Sequence, residues 1–415
     1  MTDRNTRIPG RRFLHSPGPT HLPDEVLDAM HRQPMDLADP RVSDNVVACE
    51  RGLRRLIDSD KAEVVMYAAN GHGAWEVAIE NLLAPGAAAL IPGTGHFSDS
   101  WAVQCQALGR RAVRTPWKEG HPIDPQAVED ALRADTAREI AAVFVVQTDT
   151  ASGVTSDIDA LRAALDASGH PALFVVDAVA SLGAMPLRFD AQRIDVLVGA
   201  SQKGLMLPPG IGFVAVGPAA AEFSRRNPAP RFYWDWPARM GEQPYRKFCG
   251  TPPLNLLMGM EAGLGLLFAE GIDAVHARHR LLSSLVHAAV QAWSEEGALG
   301  FLCRVPLARS VSVTAIEVRK GIDPEALRAL ARERFQVSIA GGLGPLAGRV
   351  FRIGHLGDLN APMILGALAG VEAALLASGV PIGRDGLRSA VDRLASSQAP
   401  AFSALATSGT SAGPR

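Results

Sequence analysis

The sequence predicts an α/β fold of two domains, a large one with a mostly parallel sheet covered by helices and a smaller C-terminal α+β one. Three observations carry this. Short apolar runs that read as strands buried on both faces alternate with amphipathic helical patterns over roughly residues 20–280. Beyond a long helical segment the texture changes to a second, shorter alternation of strand and helix. The chain of 415 residues, 47% hydrophobic and 20% charged, is long enough to bury two substantial cores.

Residues 1–19 read as an N-terminal arm. "GRRFLHS" superficially matches a twin-arginine export signal, but "PGPTHLPDEV" stands where an apolar region would have to follow, so no signal is assigned. The large domain, 20–280, contains "GAWEVAIENLLAPG", with Trp75, Ala78, Ile79, Leu82 and Leu83 at helical spacing and a stop at Pro85-Gly86. "AALIPG", "IAAVFVVQ", "ALFVVDAV" and "DVLVGAS" read as short buried strands, with the amphipathic helix "DIDALRAALDAS" between the second and third. "HARHRLLSSLVHAAVQAWSEEG" predicts a long helix that carries the chain into the small domain, 281–395. There "RSVSVTAIEV", "DPEALRALARERF", "GRVFRIGHLG" and "APMILGALAGVEAALLASG" alternate again. The Ala/Ser/Gly/Pro-rich tail 396–415 is expected to be disordered.

A net charge of −2 gives no electrostatic case for nucleic acid or an anionic membrane surface. No apolar run approaches the ~18 residues that a transmembrane helix needs. Cys49, Cys105, Cys249 and Cys303 are scattered without a C-x-x-C pair, which predicts neither a metal site nor a disulfide framework and fits a cytoplasmic setting.

The chemistry-bearing residues begin with Lys203 in "DVLVGASQKGLMLPPG". Of the five lysines, Lys203 alone has small and apolar neighbours at the end of a predicted strand. Desolvation lowers a lysine pKa and makes the neutral amine a usable nucleophile, although "SQKG" equally reads as a solvated surface turn. Asp177 ends the apolar run "LFVVD". In open α/β sheets the C-terminal strand edges form the ligand crevice, which would bring Asp177 and Lys203 together if their strands are near neighbours. An aspartate facing a pyridine nitrogen keeps that nitrogen protonated; the plainer reading is a helix cap or an ion pair.

In "YAANGHGAW" a glycine-containing turn opens a helix, an arrangement suited to phosphate, yet it matches neither the Walker pattern nor G-x-G-x-x-G. "GGLGPLAG", Gly341 to Gly348, reads as a loop. Arg352 interrupts an apolar strand in "GRVFRIGHLGD", either as a bidentate clamp for a carboxylate or in an internal ion pair with Asp358. His355 is read as structural, and Cys303 in "GFLCRVP" as a core or strand-edge cysteine.

Together, "PGPTHLPDEVLDAM", "GAWEVAIENLLAPG", "TASGV", "VDAVASLGAMPLRFDAQRIDVLVGASQKGLMLPPG", "GTPPLNLLMGMEAGL" and "RIGHLGDLN" resemble the class V aminotransferases of fold type I, especially those acting on glyoxylate with serine or alanine. They span roughly Leu14 to Ala395. The resemblance implies that Lys203 forms a Schiff base with pyridoxal 5′-phosphate and later shuttles a proton, and that Asp177 pairs with the pyridine nitrogen. It further implies that Asn70, Gly71, His72 and Gln202 contact the phosphate, that Phe97 stacks on the ring, and that Thr150 lies near its phenolic oxygen. Thr251 would reach the phosphate of a second subunit, implying a homodimer with shared sites, and Arg352 would hold the substrate α-carboxylate.

Three places depart from the family pattern. Asn70 replaces a hydroxyl residue, "QTDTASGV" stands where "HNETATGV" is common, and Phe248 or Gly250 occupies the region of a tyrosine. The function expected is transfer of an amino group from serine or alanine to glyoxylate. A same-fold transaminase using aspartate, 3-hydroxyaspartate or pyridoxamine is the alternative, and a non-catalytic cofactor-binding homolog is the reading from another class.

Overall fold

The computed structural model describes residues 9–397. The start of the expected arm and nearly all of the expected disordered tail lie outside the described residues.

Strand β1 (Phe13–His15) precedes two helices, Asp24–Met30 and Pro40–Leu56. Then follow β2 (Glu63–Ala69), β3 (Ala88–Leu90), β4 (Arg111–Val113), β5 (Ile140–Val146), the small ladder β6 (Thr148–Asp149) and β7 (Val154–Thr155), β8 (Leu173–Asp177), β9 (Val196–Ala200) and β10 (Gly210–Val216). The large sheet runs in the order β2-β10-β9-β8-β5-β3-β4. Its strands are parallel except β10, which is antiparallel to both neighbours. The connection 201–209 between β9 and β10 is too short for a crossover, so the chain has to turn back on itself there. Every residue of β8 and β9 is buried, as strands covered on both faces require.

The second sheet uses β11 (Leu299–Phe301), β12 (Val313–Val318), β13 (Val337–Gly341) and β14 (Val350–Gly354), in the order β1-β13-β14-β12-β11. The described part of the arm is therefore a working strand, since β1 pairs in parallel with β13. The helix Ile272–Trp293 joins the two bodies. Val275 packs in the core under the large sheet, whereas Leu282, Leu285 and Val286 pack in the core of the small one. Among the described residues no single helix is long and apolar enough to cross a membrane.

Candidate active site

β5, β8 and β9 run side by side in the same direction, so their C-terminal ends open along one edge. Asp177 ends β8, paired with Val198 of β9, and the turn Ser201–Lys203 begins where β9 stops. The chain leaving β2 enters the helix Gly71–Leu82 at the same edge. Asn70 caps that helix, its Oδ1 accepting from the amides of His72 at 3.1 Å and Gly73 at 3.3 Å. A Cβ at Gly73 would stand 2.7 Å from the Cβ of Ala69, so this tight turn needs glycine.

These elements enclose a cavity of about 240 Å³ lined by Asn70, Gly71, His72, Phe97, Thr150, Asp177, Gln202 and Lys203. Arg352 does not line this cavity; it lines a separate groove with Arg328, Gly341 and Gly342 and is linked to the cavity through Thr150. It is buried, its Nε donates to Gly341 O at 2.7 Å, and its Nη1 donates to Thr150 O at 2.8 Å. Backbone carbonyls thus take the place of the ion pair with Asp358 considered above. Thr251 is exposed and does not line the cavity of its own protomer.

Burial dominates the electrostatics. It pushes the Asp177 carboxyl up to about 7, against donors from Val179 N at 2.7 Å and Trp75 Nε1 at 3.0 Å and the nearby Lys203 charge. It also lowers the Lys203 amine to about 8, helped by the Arg352 charge and opposed by Asp177 and Asp149. Arg352 falls to about 10 for the same reason. Lys203 is half-buried rather than solvated in a surface turn, with Nζ donating to Pro17 O at 2.5 Å.

Several residues in and around the cavity were given no role by the sequence. Gly18 and Pro19 close one side, and a Cβ on Gly18 would stand 2.6 Å from Lys203 Nζ. Thr20 Oγ1 donates to Lys203 O at 3.0 Å, so the lysine is tied at two points to the segment that follows β1. Trp75 reads in the sequence as one more apolar position on a helix, yet a buried indole N–H needs an acceptor and here finds Asp177. Asp149 is fully buried. Its Oδ2 accepts from Phe97 N at 2.8 Å, and its Oδ1 from Ala151 N at 2.9 Å and Ser152 N at 3.2 Å, tying the Phe97 helix to the segment that carries Thr150. The departure at Gln147 is absorbed inside the protein, its Oε1 accepting from Ser181 Oγ at 2.6 Å. Phe248 is likewise buried in the large core. His355 bridges Val311 O and Thr314 Oγ1 away from the cavity, and Cys303 is a buried free thiol.

The donor set fits pyridoxal phosphate. Asp177 offers a carboxylate for a pyridine nitrogen, His72, Trp75 and Phe97 supply aromatic wall, Lys203 supplies the amine, and a helix N-terminus, whose His72 and Gly73 amides a phosphate would share with Asn70, faces the cavity. Gln202 Oε1 is buried without a protein partner at that wall. Among the described residues no group of three or more His, Cys, Asp or Glu side chains is placed to hold a metal ion.

Residues 12–345 match the family model described as aminotransferase class-V. The serine–glyoxylate aminotransferase of Methylorubrum extorquens is 39% identical over 382 residues, covering 91% of this chain and 94% of that protein. The L-aspartate–glyoxylate aminotransferase of Paracoccus denitrificans is 39% identical, covering 88% and 91%. The crystal structure of pyridoxamine–pyruvate aminotransferase from Mesorhizobium loti superposes with a TM-score of 0.84 at 27% identity, covering 94% of this chain and 99% of that one. With the fold, the cavity and these matches in agreement, the chain belongs to the class V aminotransferases, the pyridoxal phosphate-dependent transaminases of fold type I.

Proposed function

We propose that the enzyme moves an amino group from a small amino acid, serine or alanine, to glyoxylate, with Lys203, Asp177 and Arg352 as its working residues. The observation that carries the choice of short substrates is the state of the two arginines in the groove beside the cavity, where Arg352 and Arg328 meet Gly341 and Gly342. Arg352 has only backbone carbonyls as partners and keeps donors for one carboxylate. Arg328, the neighbouring arginine, is already committed, with its Nε on Ile339 O at 3.0 Å and its guanidinium paired with Glu325. A second, distal carboxylate beside Arg352 would therefore find no unpaired arginine in that groove among the described residues, and desolvating it unpaired costs several kcal/mol. The names of the two most similar relatives given above both support glyoxylate as the acceptor.

Bound pyridoxal phosphate supplies the electron sink through which an amino group leaves one carbon skeleton and joins another. Asn70, Gly71, His72 and Gln202 would hold its phosphate, and Thr150 its phenolic oxygen. The Asp177 carboxylate holds a proton at the pyridine nitrogen, favoured there because the opposite charge offsets its own burial. Arg352 holds the α-carboxylate and so fixes which bond of the substrate α-carbon stands over the site. Lys203 Nζ, which burial makes easier to hold as the neutral amine, would accept the proton from that carbon and return it. Phe97 and Trp75 exclude water from one face.

The protein would act as a homodimer in which Thr251 of each chain serves the other chain's phosphate; its exposure in the protomer supports this. Four free thiols fit a reducing, cytoplasmic setting. The test is single-turnover reaction of the pyridoxamine-loaded enzyme with 2-oxo acids. Glyoxylate should react fastest, pyruvate next and 2-oxoglutarate slowest by orders of magnitude. If 2-oxoglutarate or oxaloacetate reacts fastest, the glyoxylate assignment falls and only the aminotransferase one remains.

A further inference from the structure

We propose that the indole N–H of Trp75 is a positioning group for the Asp177 carboxylate, aiming it at the cofactor's pyridine nitrogen. The inference rests on the role given to Asp177 above and extends it to Trp75, to which the resemblance assigned no role. Asp177 is held by two donors, Val179 N on Oδ1 at 2.7 Å and Trp75 Nε1 on Oδ2 at 3.0 Å. Together they fix the rotation of the carboxylate and leave each oxygen a second acceptor site.

Trp75 itself has little freedom. Its ring stacks on Trp101 with centroids 5.2 Å apart and planes within 12°, and Trp101 stacks in turn on Phe144 at 4.7 Å. The His72 ring lies 4.5 Å away on the cavity side. Trp75 also belongs to the helix Gly71–Leu82, whose first turn is the expected phosphate end. One rigid element thus carries the phosphate turn and the donor that orients Asp177, which sets the span between the two ends of the cofactor.

A donor to the ionised carboxylate favours that form; with Val179 N and the Lys203 charge, itself titrating at about 8 whichever residue stands at position 75, it opposes the burial and the Asp149 charge that push Asp177 up to about 7. Without the indole N–H, protonation should extend about one pH unit higher, which makes a specific mark on binding. The experiment measures pyridoxal phosphate affinity of the apoenzyme between pH 6 and pH 8.5, for wild type, Trp75→Phe, Asp177→Asn and the double variant. A further variant carries 3-benzothienylalanine at position 75, which keeps the bicyclic shape and lacks the N–H, in case phenylalanine disturbs the ring stack.

Both Trp75 replacements should bind about tenfold more weakly than wild type at pH 6 and within about twofold at pH 8.5. In the Asp177→Asn background Trp75→Phe should add less than about twofold at any pH. A loss that is equal across the pH range, or a benzothienyl variant that binds as wild type does, would overturn the proposal while leaving Asp177 in place. If Asp177→Asn itself binds with the wild-type profile, the reading of Asp177 falls and the proposal with it.

Discussion

Lys203 illustrates how one side chain acquires reactivity from its surroundings. Its amine reaches Pro17 O, sits under Gly18, and shares a low-dielectric cavity with Asp177 and the Arg352 charge, and burial lowers it to about 8. The neutral, nucleophilic form therefore grows as pH rises through about 8, and the rate at which the apoenzyme attaches its cofactor should rise over that range and level off above it. Stopped-flow absorbance measures this; a rate flat from pH 6 to pH 10 would show the lysine to be unperturbed. Lys203→Ala should retain the fold and lose covalent attachment, and borohydride reduction of the wild type should leave the cofactor on the Lys203 peptide. An adduct on any other lysine removes Lys203 from its role. Arg352→Ala should act on the substrate side, raising the Michaelis constants of amino and oxo acids by on the order of a hundredfold while the cofactor stays bound. Unchanged Michaelis constants for both would assign the carboxylate to another cation.

Strand β1 and its neighbours bring together imidazoles that the sequence scatters. His15 from β1 meets Gly354 O at 3.0 Å, and the His355 and His287 rings lie 6.1 Å apart. His279 accepts from Gly357 N at 3.2 Å. Burial lowers His15 and His287 to about 4 and His279 to about 3, and it lowers His355 well below the ordinary value. Groups depressed in the folded state but free to charge when unfolded give their full stability above the unfolded value near 6.5, and lose it as pH falls towards the folded values. At pH 5 each deeply buried imidazole should then cost on the order of 2 kcal/mol relative to pH 7. The melting temperature should fall between pH 7 and pH 5, and His287→Leu, which removes a ring whose Nε2 has no protein partner, should make that fall shallower. An identical slope in the variant would place the acid sensitivity elsewhere.

In the whole molecule, Thr251 is an expected site residue that is exposed and does not line the cavity of its own protomer. If it serves a second chain, a heterodimer of Lys203→Ala with a disruptive Thr251 variant holds one site with both defects and one with neither. Such heterodimers, isolated with two affinity tags, should keep one full site's activity. Activity well below one site per dimer would rule out exchange of Thr251 between subunits.

The sequence by itself determined the alternation of buried strands and helices, because strands covered on both faces must be apolar throughout, as in "LFVVD" and "VLVGA". It also marked Lys203, Asp177 and Arg352, because a charged residue ending or interrupting such a run stands out against its neighbours. Only the tertiary structure decided what surrounds them. The Trp75 contact with Asp177 joins residues 102 positions apart, and the Pro17 contact with Lys203 joins residues 186 apart. Neither leaves a local trace, since an indole on an apolar helix face and a carbonyl before a glycine look ordinary in their own segments. The antiparallel course of β10, the strand made by the arm, and the internal partners of Gln147 and Asp149 were hidden for the same reason. Period and composition report how a segment meets its own two faces, whereas pairing partners and hydrogen-bond acceptors are supplied by distant chain and exist only once the fold has closed.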